Sequence, residues 1–85
     1  MSRFEGLTDE WILQQLREGA VTTRDLMLAY EREFRNGEEF TGFLVTSFKE
    51  RAYRKLRILE KYGRVERCGM AQLLYTQYMT WRIIE

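Results

Sequence analysis

The sequence predicts one small, mostly α-helical domain: three helices followed by a two-stranded antiparallel hairpin. Three observations predict it. Apolar residues recur at helical spacing in three successive segments. The period changes to alternation immediately after Gly63. And 85 residues, with 45% hydrophobic and 32% charged side chains, suffice for one modest core and one domain, 1–85.

The first helix is expected over 9–18. Trp11, Ile12, Leu13 and Leu16 form its apolar face, Thr8 is a suitable N-cap, and Gly19 a suitable stop. Ala20 and Val21 make a short link able to form one β-bridge. Thr22 and Asp25 have the spacing of a capping box, which places a second helix over about 23–35. Leu26, Ala29, Tyr30 and Phe34 make its inward stripe, and Asn36-Gly37 ends it.

Residues 38–45 fit two descriptions. They read as a loop anchored by Phe40, Phe43 and Leu44, or as an early start to the third helix, since Phe40, Leu44, Phe48 and Ala52 are spaced by fours. Gly42 favours the loop, and the third helix is expected over about 46–62. Phe48, Ala52, Leu56 and Leu59 fall on one narrow face of it.

Strands are expected at about 64–68 and 76–84, joined by residues 69–75. A helix over 70–79 is the competing description, and the Thr-, Tyr-, Trp- and Ile-rich run after Thr76 favours the hairpin. Trp11, Met79, Trp81 and Ile83 are expected in the core. The lone Cys68 is expected to be a semi-buried small apolar residue.

The net charge of +1 conceals a strong asymmetry. Residues 1–45 hold five Arg against nine Asp and Glu. Residues 46–67 hold Lys49, Arg51, Arg54, Lys55, Arg57, Lys61, Arg64 and Arg67 against only Glu50, Glu60 and Glu66. Basic charge concentrated on one segment points to a polyanionic partner. Several function classes lose support. Histidine is absent, and there is no cysteine cluster, Gly-rich phosphate loop or nucleophilic serine motif, so neither an enzyme nor a metal or cofactor site is expected. No small-molecule effector pocket is evident. No apolar run reaches membrane-spanning length, and the first ten residues lack the apolar core of a secretory signal. A cytoplasmic location, in the organism itself or in a host cell, is expected.

The order of elements, together with 53–67 (YRKLRILEKYGRVER) and 19–26 (GAVTTRDL), resembles the winged helix-turn-helix DNA-binding family. The first stretch is similar to the end of a recognition helix running through a glycine turn into a wing strand. The second is similar to the entry into the helix before it. Double-stranded DNA is the partner this resemblance implies, with the third helix in the major groove. Base contacts would come from its N-terminal half, which maps onto Ser47 to Arg54.

The implied DNA-facing residues are Ser47, Glu50, Arg51, Tyr53, Arg54 and Arg57, with Lys61, Arg64 and Arg67 on phosphates. Each has a plainer role. Glu50 can accept from cytosine or, the favoured reading, pair with Arg54 one turn away. Tyr53 can touch DNA or pack half-buried, and the basic residues can simply solvate a helix face. Two departures from the family limit what it implies. The link between the second and third helices exceeds the usual three or four residues. The presumed wing tip has no Lys or Arg, so base reading by the wing is not implied. Leu73, Leu74 and Tyr75 at that tip suggest a self-association contact instead, or a hairpin folded back over the first helix. A transcriptional regulator acting as a homodimer is the expectation; an assembly module that binds protein is the alternative.

Overall fold

The computed structural model describes residues 4–73 and 75–84. It contains α1 (Asp9–Arg17), α2 (Thr23–Phe34), α3 (Phe43–Lys61), β1 (Val65–Leu73) and β2 (Thr76–Ile83). The strands form a two-stranded antiparallel sheet. This is a three-helix winged-helix layout.

Local chemistry sets the helix ends. The Thr8 hydroxyl accepts from the Trp11 N–H at 3.1 Å, with Asp9 and Glu10 at the positive end of the α1 dipole. The capping box of α2 is complete: the Asp25 N–H donates to the Thr22 hydroxyl, and the Thr22 N–H donates to the Asp25 carboxylate. At the end of α3 the Gly63 N–H reaches the Glu60 carbonyl and the Arg64 N–H reaches the Leu59 carbonyl. This paired closure needs a left-handed residue, and Gly63 supplies it at φ +74°. The chain leaves that turn directly into β1.

The inward stripes meet in one core. Phe48, Ala52 and Leu56 are wholly buried, and Leu59 nearly so. They pack with Ile12, Leu13, Leu26, Tyr30, Val65 and Trp81. Phe4, Tyr30, Phe40 and Phe48 form an aromatic cluster with ring centroids 5.2–6.2 Å apart. Burial of this scale, at about 25 cal/mol per Å² of apolar surface, is the main force holding α3 in place. The base of the hairpin docks on the helices through Val65 and Trp81.

Several boundaries and environments differ from expectation. Helix α3 starts at Phe43 rather than near Thr46, with Gly42 as its N-cap. Glycine is costly inside a helix but only slightly worse than Ser or Thr at a cap, so it marks the start rather than forbidding it. Of the expected anchors before it, Phe40 is buried and Leu44 half-buried, but Phe43 is exposed. Helix α2 ends one residue early, at Phe34, and Phe34 is half-exposed rather than inward, stacked at its edge on Tyr30 and Trp11.

Strand β1 runs to Leu73, well past Cys68, and the 70–79 stretch is strand on both sides of its turn rather than helix. Within the extended strand a β-bulge at Cys68 takes up one extra residue, with Gly69 at φ +120°. At the bulge Cys68 points out and is exposed, not semi-buried. Only Trp81 of the four expected core residues is fully buried; Trp11, Met79 and Ile83 flank the core half-buried. Among the described residues a single backbone hydrogen bond joins Ala20–Val21 to the hairpin, from the Trp81 N–H to the Val21 carbonyl at 2.7 Å. No helix among the described residues is long and apolar enough to cross a membrane.

Candidate nucleic-acid interface

Helix α3 presents its outer face along nearly the whole molecule. Nineteen residues at 1.5 Å each give a rod of about 28 Å, against molecular extents of 32 × 31 × 20 Å. The core stripe fixes the rotation of the rod, and that rotation turns Glu50, Arg51, Arg54, Arg57 and Lys61 outward, with Ser47 half-buried. Arg64 and Arg67, just beyond the Gly63 turn, are also exposed. The sequence-predicted set is thus gathered on the outer side of α3 and the root of the hairpin.

The cations of this region divide into two groups. Some are neutralised within the fold. Lys55 reaches Asp9 of α1 at 3.8 Å. Glu60 takes both Arg57, at 3.4 Å, and Arg67, at 2.7 Å. Arg82 pairs with Glu66 across the strands. Among the described residues, Arg51, Arg54, Lys61 and Arg64 have no carboxylate partner. The expected Glu50–Arg54 pair is not formed among the described residues. One carboxylate, Glu50, lies among these four cations. Arg54 and Lys61 are seven residues apart, so they lie on one side of the helix about 10 Å apart along its axis.

Tyr53 is partly exposed and packs its ring edge-on against Trp81, at 6.1 Å between centroids. Its hydroxyl accepts from the Arg57 guanidinium at 3.0 Å. That hydrogen bond, with smaller electrostatic contributions from Tyr53 and Glu60, raises the Arg57 pKa above its ordinary value. Arg57 lies between the Tyr53 hydroxyl and the Glu60 carboxylate.

A second part of the surface is absent from the sequence reading. Thr23 at the start of α2, Lys49, Glu50 and Tyr53 of α3, and Gln77, Tyr78, Met79 and Trp81 of β2 line an open groove of about 290 Å³. Lys49 closes it by donating to the Tyr78 hydroxyl at 3.0 Å, while also lying 4.8 Å from the centre of the Tyr78 ring. Lys49 had a signal, since it falls one turn before Tyr53 on the flank of α3. Tyr78 had none, because its position depends on the extension of the hairpin beyond the bulge.

The predicted self-association residues fall at the hairpin tip. Tyr75 is fully exposed, Leu73 ends β1, and Leu74 lies outside the described residues. With Met70 and Tyr75 both exposed, the hairpin is not folded back over α1. Among the described residues no cluster of three potential metal ligands occurs. No protein-family model, curated protein or solved structure matches this chain.

Proposed function

We propose that this chain is a double-stranded DNA-binding protein of the winged-helix type, a small transcriptional regulator that lays the outer face of α3 in the major groove. One observation carries the reading: among the described residues Arg51, Arg54, Lys61 and Arg64 are left without carboxylates on one exposed face, while Lys55, Arg57 and Arg67 are neutralised. A B-DNA major groove about 12 Å wide admits a helix. Arg51 and Arg54, near the middle of the rod, are suited to fork onto guanine O6 and N7 or onto a phosphate. Lys61 and Arg64, at its far end, are suited to phosphates. The protein works in the cytoplasm, of its own cell or of a host, as a homodimer on a two-fold symmetric site.

The wing takes part through neutral groups. The Tyr78 hydroxyl and the Gln77 amide stand beside Lys49 in the groove next to α3, whereas a charged wing tip is missing. Binding to random duplex at two salt concentrations tests the reading. Affinity falls steeply with salt when several phosphates are neutralised, because counterions are released. A protein that fails to bind random duplex even at low salt would remove it. The assembly-module reading would then take its place, and the uncharged distal half of the hairpin, with Met70 and Tyr75 exposed, is the observation that favours it.

A further inference from the structure

We infer that Glu50 is a base-selecting residue: its carboxylate accepts a hydrogen bond from cytosine N4 in the major groove, while Arg51 or Arg54 beside it takes the guanine of the same or the adjacent base pair. The inference rests on the proposed DNA-binding reading and deepens it by naming the base pair that this face prefers.

Ser47, Glu50, Arg51 and Arg54 are spaced by threes and fours, so they share one side of α3. With Phe4 they line a hollow of about 190 Å³. Glu50, Arg51 and Arg54 are exposed there. Among the described residues the Glu50 carboxylate takes part in no ion pair and no side-chain hydrogen bond, although Arg54 is only one turn away. Neither Arg51 nor Arg54 has a carboxylate among them either. The hollow therefore sets one acceptor-only group beside two donor-only groups, all open.

The ligand has to match that set. A phosphate carries acceptors and negative charge. It suits the guanidiniums but is repelled by Glu50, so the carboxylate weakens attraction to the backbone of any duplex. A base-pair edge offers donors and acceptors together. In a C·G pair, guanine O6 and N7 are neighbouring acceptors that one guanidinium fork takes at once, and cytosine N4 is a donor for a carboxylate. In an A·T pair the donor, adenine N6, stands between the acceptors N7 and O4, so the fork meets no neighbouring pair of acceptors. Only the C·G pair satisfies both kinds of group.

Reach agrees with this match. Glu50 and Arg54 are about 6 Å apart along the helix axis, within two base-pair steps of about 3.4 Å each. The carboxylate thus acts oppositely on two quantities. It lowers affinity for duplex in general and raises discrimination at one position.

Selection of bound sequences from a random duplex pool, followed by titration of the selected duplex and of single-pair changes in it, tests the inference. The wild-type protein is expected to select a C·G pair at one position, and changing that pair to A·T is expected to weaken binding roughly tenfold or more. Glu50→Gln removes the charge and presents an amide. It is expected to bind random duplex more tightly, and its preference for cytosine at that position to fall below about twofold or to pass to adenine, whose N6 and N7 fit an amide. Its melting temperature is expected to match the wild type. Glu60→Gln removes an equal charge elsewhere on α3 and is expected to keep the cytosine preference. An undiminished cytosine preference in Glu50→Gln overturns the inference. So does a wild-type selection with no C·G position, an equal loss of preference in Glu60→Gln, or weaker binding of Glu50→Gln to random and selected duplex alike. These outcomes leave salt-dependent binding to random duplex intact, whereas a wild-type protein that binds no duplex even at low salt removes the DNA-binding reading and this inference with it.

Discussion

The two sides of α3 are built from residues one or two positions apart, yet they obey different rules. On the inner side, Phe48, Ala52, Leu56 and Leu59 are fixed by volume: each is buried and each meets other apolar groups. On the outer side volume decides nothing, and charge is handled selectively. Glu60 holds Arg57 and Arg67, and Asp9 lies within reach of Lys55, but among the described residues Arg51, Arg54, Lys61 and Arg64 are left open. The neutralised cations brace α3 against α1 and the hairpin. The open ones make no ion pair among the described residues, and the proposed DNA contact rests on them.

Variants at each kind of position can break this contrast. The largest effect belongs to the inner side. Phe48→Ala should cost about 3–5 kcal/mol of stability by urea denaturation, with a correspondingly large drop in melting temperature. A loss below 1 kcal/mol would mean that the aromatic cluster does not set the position of α3.

Next comes Arg54→Ala. It should leave stability within about 0.5 kcal/mol while lowering specific DNA affinity by about 1–3 kcal/mol and relaxing one base position. Equal binding of selected and random duplex by this variant and the wild type would show that the reading face is elsewhere.

The smallest effect sharpens the contrast most. Glu60→Gln removes the carboxylate that holds Arg57 and Arg67. Exposed pairs are worth about 0.2–1 kcal/mol each, so stability should fall slightly. DNA binding should tighten, and its salt dependence should steepen by up to roughly one unit for each guanidinium released onto a phosphate. Weaker binding by Glu60→Gln would show that the fixed pose of Arg57 and Arg67, rather than the number of free cations, matters.

The inner side was the legible part of the sequence. Phe48, Ala52, Leu56 and Leu59 repeat at helical spacing, and the Thr22–Asp25 box and Gly63 punctuate the chain with local chemistry that needs no tertiary context. The outward residues of α3 could be named for the same reason, since rotation of a helix fixes both faces at once. Their pairing could not. Glu50 and Arg54 have ideal spacing for an ion pair and do not form one, whereas Glu60 pairs with Arg67 across the Gly63 turn, a contact set by how β1 leaves the helix. The groove at Lys49 and Tyr78 was hidden for a related reason. It joins residues 29 apart, and Tyr78 arrives there only because β2 continues past the bulge pair.

The connection between α2 and α3 is fastened differently from a tight turn. The buried Glu31 carboxylate accepts the Phe40 N–H at 2.7 Å, the Phe40 ring lies in the aromatic cluster, and the Arg35 guanidinium stands 4.2 Å from that ring. Gly37, Glu38 and Glu39 between these fastenings are exposed. Added chain at Glu38–Glu39 therefore hangs from two anchored ends, and doubling a loop costs only about 0.6 kcal/mol. A short epitope or fluorophore tag spliced in there would ride on the protein without shifting its basic helix, giving a handle for following the molecule inside a cell.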